Sequence, residues 1–328
     1  TIRKGSVASR STVLPIHSKR YCRHRTERFT LGHGLCYWAV FNLWPSFETT
    51  NLTFACDSES VNETSLKKFW DLEHIGIEPD SNSKFTLKEQ QVLDHMKSVT
   101  RYDPKIKRWW TKLLWQANPT ELGNNLERCR RIAKHLYATS AKQGRLELVE
   151  DAFLEFFTND FAKFVDPPAS DLPCSYIPTH AVFRFDKSTT RTRIVMNCSS
   201  ITQSGKSLNS LLPAGPCLLQ DFPQILMRFR AKKYAFATDI SKMFLQILMD
   251  FADRDYQRFI FIDKQGRERH GRMKCLVFGS VSSPFQSIYC ILQLAQLFER
   301  EFPLAKMHLD LNLYVDDIIG SCETIEEA

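Results

Sequence analysis

The sequence predicts an α+β fold in which helices precede a set of antiparallel strands. Between residues 66 and 164, apolar side chains recur at the three- and four-residue spacing of amphipathic helices. From residue 181 onward, short runs rich in β-branched and aromatic residues alternate with polar turns. Elements in this order indicate an α+β architecture. The 328 residues are enough for two packed units.

Four helices are expected in the first half of the chain. The second begins at Thr86, because Thr86 and Glu89 have the spacing of a capping box. The fourth is expected to stop at Pro167 and Pro168. The expected ranges are 66–72, 86–98, 122–143 and 147–164. Residues 1–65 show no sustained period, so this segment is expected to be irregular and is left unassigned.

Strands dominate the expected second half. Two of them, 181–185 and 192–196, flank the polar turn 186–190 and are expected to form a hairpin. Ser283 and Pro284 favour the start of a helix. The remaining expected elements are a helix at 221–231, strands at 234–238, 257–262 and 273–278, a helix at 283–300 and a hairpin at 311–321.

Composition restricts the class of protein. A net charge of +7, with basic residues clustered at 19–28, 105–112, 128–134 and 228–233, suits a phosphate-rich partner. Ten cysteines without a Cys-x-x-Cys pair indicate reduced thiols. No secretory leader and no apolar run of bilayer length is seen, so an intracellular, cytoplasmic protein is expected. A zinc site remains open, although its spacing is that of no standard finger, at Cys22, His24, His33 and Cys36.

Carboxylates end two of the expected strands. Asp239 follows the apolar run 234–238, and Asp316 and Asp317 lie side by side at the tip of the last hairpin. A single Asp after a strand is commonly a turn former, and an acidic turn needs no function. Adjacent like charges are tolerated best beside a cation, and carboxylate oxygens suit Mg²⁺. Together the three residues suit phosphoryl transfer, which uses two metal ions about 3.5–4 Å apart.

Several sequence blocks occur in a fixed order. They are 69–73, 122–125, 177–182, 189–195, 207–209 with 215–216, 225–230, 239–247, 278–285 and 314–317. Over residues 66–328, this set resembles the reverse transcriptase region of BEL/Pao-type LTR retrotransposon polyproteins. The resemblance implies right-hand polymerase fingers and palm at 109–328 and a helical linker of the BEL/Pao type at 66–108. It implies RNA-directed DNA synthesis on an RNA template and a DNA primer, with dNTPs and two Mg²⁺ ions, or Mn²⁺.

The resemblance also assigns roles to single residues. Asp239, Asp316 and Asp317 would be the catalytic, metal-binding carboxylates. Ile240 would offer its carbonyl to the metal ion that carries the triphosphate, and Phe244 would crowd a ribose 2′-hydroxyl. The other implied dNTP-binding residues are Arg193 and Lys187 in the fingers hairpin and Phe278 and Gly279 in the pocket.

Two departures from the family pattern are visible. Asn197 stands where the family usually has Asp. The chain stops eleven residues after Asp317, so we expect a fragment that lacks the thumb, RNase H and integrase regions of such a polyprotein. Two other hypotheses stay open: an inactive relic that at most binds nucleic acid, and a viral RNA-dependent RNA polymerase. Phe244 at the position of the steric gate argues against the second.

Overall fold

The fold was determined as a computed structural model, which describes residues 27–31, 34–42, 85–168, 173–184 and 192–327. Helices and mostly antiparallel sheets share this part of the chain, so the expected α+β class is confirmed. The expected helix at 66–72 and the turn 186–190, which includes Lys187, lie outside the described residues. None of the described helices has the length and apolar character that a bilayer crossing requires.

The described helices are numbered in chain order. They are α1 (Leu87–Val99), α2 (Leu126–Lys142), α3 (Leu146–Thr158), α4 (Phe222–Phe229), α5 (Ser283–Leu297) and α6 (Pro303–Asn312). The capping box predicted at the start of α1 is confirmed, because the Thr86 hydroxyl accepts from the Glu89 N–H and the Glu89 carboxylate accepts from the Thr86 N–H. The helix α6 was not predicted.

The described strands are likewise numbered in chain order. They are β1 (Glu27–Leu31), β2 (Gly34–Asn42), β3 (Arg101–Asp103), β4 (Arg108–Thr111), β5 (Ala162–Phe164), β6 (Thr179–Phe183), β7 (Thr192–Met196), β8 (Tyr234–Ile240), β9 (Leu248–Met249), β10 (Arg258–Ile262), β11 (Glu268–Met273), β12 (Leu313–Tyr314) and β13 (Asp317–Cys322). The predicted hairpin of β6 and β7 is confirmed as an antiparallel pair.

Two predicted elements have the wrong bounds. The fourth helix ends at Thr158, because the chain turns through Asp160 at a positive φ of 59° and continues as β5. A strand was predicted at 273–278, but strand β11 ends at Met273. The residues after it are apolar because Cys275, Leu276 and Val277 lie in the core.

Within the segment expected to be irregular, β1 and β2 are strands. Strand β2 pairs with β8, about two hundred residues away in the sequence. Such a distant partner leaves no local pattern in the chain.

One five-stranded antiparallel sheet organises the candidate site. Its order is β1-β2-β8-β13-β12. In this sheet Asp239 of β8 stands directly opposite Asp317 of β13, and Tyr314 of β12 stands on the other side of Asp317. Antiparallel pairing therefore brings the end of β8 to the start of β13.

The main core joins α3 to the sheet of β5, β10 and β11. Phe153 of α3 stacks on Phe261 of β10 with ring centroids 4.7 Å apart, and Phe259 is fully buried beside them. Gly271 lies opposite Phe259 because a side chain there would overlap the Phe259 ring. These aromatic contacts fix α3 over the sheet.

The unit of α1, β3 and β4 is bonded to the remaining core by buried polar groups. The Gln286 amide of α5 donates to the Thr111 hydroxyl at 3.0 Å and to the Lys112 carbonyl at 2.8 Å. Asp253 accepts from the Leu113 N–H at 2.8 Å and from the Trp115 indole at 2.9 Å. Buried donors of this kind need partners, so these bonds make one packed body of the two regions.

Replacing Asp253 by Ala should lower the free energy of unfolding by about 1–3 kcal/mol, because the buried Leu113 N–H and the half-buried Trp115 indole lose their acceptor. Urea denaturation of the two proteins measures the difference. Asp250→Ala is the matched control, since the Asp250 carboxylate accepts a local bond from the exposed Ala252 N–H, and it should change stability much less. Equal losses in both variants would contradict the structural role of Asp253.

Candidate functional site

Three carboxylates meet at one end of the five-stranded sheet. Asp239 lies near the end of β8, Asp317 opens β13 opposite it, and Asp316 occupies the turn between β12 and β13. The Ile240 N–H donates to the Asp316 carbonyl at 2.7 Å and so bonds the turn to the end of β8. Strand pairing thus brings together residues that are far apart in the sequence.

The turn that carries Asp316 is strained. A two-residue hairpin loop requires a positive φ at its first central residue, which is usually Gly or Asn. Here that residue is Val315, with a φ of 58°. For a β-branched residue this conformation costs on the order of 1–3 kcal/mol, and such strain persists only where surrounding contacts enforce it.

Burial and neighbouring charge raise the pKa values of Asp239 and Asp317. Burial raises the pKa of Asp239 most, the charges of Asp316 and Asp317 raise it further, and Arg193 on β7 lowers it. Burial and then the Asp316 charge raise the pKa of Asp317. The site therefore concentrates negative charge that a bound cation would neutralise.

The donor types at this site fit a hard divalent cation. Carboxylate oxygens and a nearby backbone carbonyl are the ligands that Mg²⁺ prefers. Across the described ranges, no three His, Cys, Asp or Glu side chains already stand as a group that could hold a metal ion. The fit thus rests on the chemistry and charge of the donors.

A second group of predicted residues lies around two aromatic rings. Phe244 and Phe278 meet edge to face with ring centroids 5.2 Å apart. Phe244 follows Lys242, whose left-handed φ of 53° turns the chain sharply after β8. Lys242 itself is occupied by a salt bridge to Glu155 of α3.

Gly279 allows the closest backbone approach in this group. Its φ is +89°, and a Cβ there would lie 2.2 Å from the Met196 carbonyl oxygen. Only glycine accommodates both conditions. The turn after Phe278 can therefore lie against β7, the strand that carries Arg193.

Asn209 is a residue of this region whose role the sequence did not reveal. Its amide donates to the Gly279 carbonyl at 2.9 Å and to the Ser199 hydroxyl at 2.8 Å. Its side-chain oxygen accepts from the Val281 N–H at 2.9 Å. Asn209 stands in one of the ordered sequence blocks, which was the available signal, but two of its three partners, Gly279 and Val281, lie about seventy residues away.

The structure places the predicted residues in two neighbouring groups. Asp239, Asp316 and Asp317 form one, with Ile240 bonded to it, and Phe244, Phe278 and Gly279 form the other. Arg193 is exposed on β7, and its charge acts on Asp239. Lys187 and the side chains of the zinc candidates lie outside the described residues.

Some basic residues expected to face a phosphate-rich partner are used by the fold instead. Arg108 donates to the carbonyls of Leu245 and Gln246, and Arg130 pairs with Glu268. These side chains are less available for nucleic acid than the charge clusters alone suggest.

Gly279→Ala should destabilise the protein by more than Gly205→Ala. Both glycines have a φ near +80 to +90°, but a Cβ at Gly205 meets nothing within 4 Å. Gly205→Ala therefore measures only the free-energy cost of placing a side chain in the left-handed conformation, about 1–2 kcal/mol. Gly279→Ala adds the overlap with Met196. Urea unfolding compares them, and equal effects would show that the close approach is absent in solution.

Asp239→Asn should stabilise the protein at pH 7 by a few tenths to about 1 kcal/mol when no divalent cation is present. A raised folded pKa means that ionised Asp239 destabilises the fold above that pKa, and that this effect vanishes below the ordinary value of 3.8. Thermal unfolding between pH 3 and 8 should show the two proteins converging at low pH. Asp94→Asn, at an exposed position of α1, should show no such gain.

Residues 186–328 match the family of reverse transcriptases (RNA-dependent DNA polymerases). The matched stretch contains every site residue predicted from the sequence, and it begins within the hairpin of β6 and β7. No curated protein matches the chain.

Proposed function

We propose that this chain serves an LTR retrotransposon of the BEL/Pao type. The premise is that residues 186–328 are a reverse transcriptase domain, that is, an RNA-directed DNA polymerase and nucleotidyltransferase. It transfers a nucleotide from a dNTP to a primer 3′-hydroxyl on an RNA template. The observation that carries the proposal is the register of β8 and β13, which sets Asp239 opposite Asp317 with Asp316 in the adjoining turn. The lineage rests on the ordered sequence blocks.

Asp239, Asp316 and Asp317 would hold two Mg²⁺ ions, and Ile240 would add its carbonyl. When bound, the ions activate the attacking hydroxyl and neutralise charge on the transferring phosphoryl group. The chain's own contribution is to keep three carboxylates close together although they repel one another. The raised pKa values of Asp239 and Asp317 are consistent with that task, since a cation would relieve the repulsion.

Arg193 is the candidate partner of the triphosphate. It is exposed on β7, and its charge acts on Asp239, so it lies near the carboxylates. Its guanidinium is permanently charged and suits a phosphate group. Lys187, which lies between β6 and β7 in the sequence, is proposed to assist.

Phe244 is the candidate gate against ribonucleotides. It is half-buried and supported by the edge-to-face contact with Phe278. This contact restricts rotation of the Phe244 ring, so the ring can exclude a 2′-hydroxyl. Gly279 and Asn209 fix the turn that holds Phe278.

In this proposal the five-stranded sheet is the palm, and the hairpin of β6 and β7 belongs to the fingers. Template and primer are held mainly by backbone phosphate contacts, which carry no sequence information. The partner regions would be the thumb, RNase H and integrase of the same intracellular polyprotein.

Asp316→Asn and Asp317→Asn should each reduce primer extension by at least about 100-fold, because a metal ion contributes several kcal/mol to the reaction. The assay uses an RNA template, a DNA primer, Mg²⁺ and dNTPs. Asp310→Asn is the matched control, since Asp310 lies on α6 and pairs with Lys306. Unchanged primer extension in the Asp316 and Asp317 variants would contradict the proposal. Absence of extension in the wild-type chain, with RNA binding retained, would favour the inactive relic.

Phe244→Ala should lower the preference for dNTPs over rNTPs by about tenfold or more, because loss of steric exclusion is worth about 1–3 kcal/mol. The measurement is kcat/KM for one dNTP and the matching rNTP. Phe244→Tyr retains the ring and should preserve the preference. A preference that survives in Phe244→Ala would remove this residue from the gate.

A further inference from the structure

A connected set of polar side chains lies behind the hairpin of β12 and β13, away from the carboxylates. It comprises Arg228 of α4, His308 and Asn312 of α6, and Ser321 of β13. Asn312 is buried, at 4% exposure, and Ser321 is buried at 5%. None of these residues belongs to the two groups described above.

Arg228 bonds to the end of α6, which leads into the hairpin, and to β13. Its Nε donates to Asn312 Oδ1 at 2.9 Å, and its Nη2 donates to the Leu311 carbonyl, just before β12. Its own carbonyl accepts from the Ser321 hydroxyl at 2.5 Å, near the end of β13. One residue of α4 therefore fixes where the hairpin begins and where it ends.

The direction of these hydrogen bonds determines the state of His308. Arginine can only donate, so the Asn312 atom that faces it is the oxygen, and the Asn312 amide nitrogen faces His308. That nitrogen donates to His308 Nδ1 at 2.7 Å. Nδ1 is thus an acceptor without a proton, and the proton of neutral His308 is on Nε2, which faces Cys322 Sγ at 3.9 Å.

The His308 ring also occupies the space that Gly320 leaves. It meets Phe236 edge to face with ring centroids 4.8 Å apart. Phe236 stands opposite Gly320 in the sheet, and a Cβ on Gly320 would lie 2.7 Å from Phe236 and 2.9 Å from His308 Nδ1. This contact lies three positions from the pair Asp239 and Asp317 along both strands.

We propose that His308 and Asn312 are positioning residues that hold the catalytic hairpin in register with β8. Strand β12 has only two residues, and the turn beyond it is strained at Val315. The hairpin therefore needs support from outside. Asn312 is bonded to Arg228 of α4 and His308 packs on Phe236 of β8, and the bond from Asn312 to His308 joins these two contacts. Together they hold the hairpin, and with it Asp316 and Asp317, beside Asp239. The inference rests on the proposed metal-binding role of these carboxylates.

Mn²⁺ binding to the 1–328 chain, followed by the electron paramagnetic resonance signal of free Mn²⁺, tests the inference with two opposed variants. His308→Asn keeps an acceptor where Nδ1 stands but loses the ring. His308→Phe keeps the ring but loses the acceptor. Loss of a hydrogen bond that orients metal ligands typically weakens metal binding 10–100-fold. We expect His308→Phe to weaken Mn²⁺ binding about tenfold or more, and His308→Asn to stay within about twofold of wild type.

The reverse order, or equal affinities in both variants and wild type, would overturn the positioning role and leave His308 as a packing residue. Thermal unfolding shows that each variant is folded; if His308→Phe is not, His308→Leu carries the same expectation. Asp316→Asn/Asp317→Asn separates the two ideas. If this variant loses Mn²⁺ binding while His308→Phe does not, only the positioning role fails. If it binds as wild type does, or wild type does not bind, the metal site itself fails.

Discussion

The pairing of β8 with β13 is the constraint on which the site depends. Side chains alternate between the two faces of a strand, so a slip of one residue would send Asp239 and Asp317 to opposite faces. The pairing must also hold against charge, because burial and neighbouring carboxylates disfavour ionisation at both residues. Contacts elsewhere must therefore fix the register, and the structure shows where they lie.

Glycines provide close contacts in this pairing and around it. Gly279 brings the turn after Phe278 against β7, and Gly320 admits the rings of Phe236 and His308 between the sheet and α6. Gly215, at a φ of +80°, lies where any side chain would overlap the Phe285 ring of α5. Each of these positions needs an absent Cβ for a different close approach, so the glycines act as fixed points of packing.

Sequence reasoning succeeded where the signal was local. The capping box at Thr86 and the hairpin of β6 and β7 are determined by residues close together in the sequence, and both are confirmed. The hairpin of β12 and β13 was expected from two apolar arms around Asp316 and Asp317, and its strands are present. The roles of these carboxylates stay a prediction.

Sequence reasoning failed where a partner distant in the sequence determined the local structure. Strand β2 depends on β8, and the apolar run after Met273 is explained by burial. The helix α6 was missed because its apolar residues are largely exposed, with Leu304 at 54% and Met307 at 40%, which leaves no clear buried stripe. Asn209 and His308 are polar residues whose partners only the folded chain reveals.

The bonds of Gln286 and Asp253 to residues 111–115 show that the folded unit extends beyond the matched sequence. The match to reverse transcriptases begins at residue 186, yet buried donors and acceptors cross that point in both directions. A piece trimmed to the matched residues would leave the Gln286 amide and the Asp253 carboxylate without these partners. The start of the matched sequence is therefore not a boundary of packing: residues 111–115, which precede it, are bonded to buried groups within it.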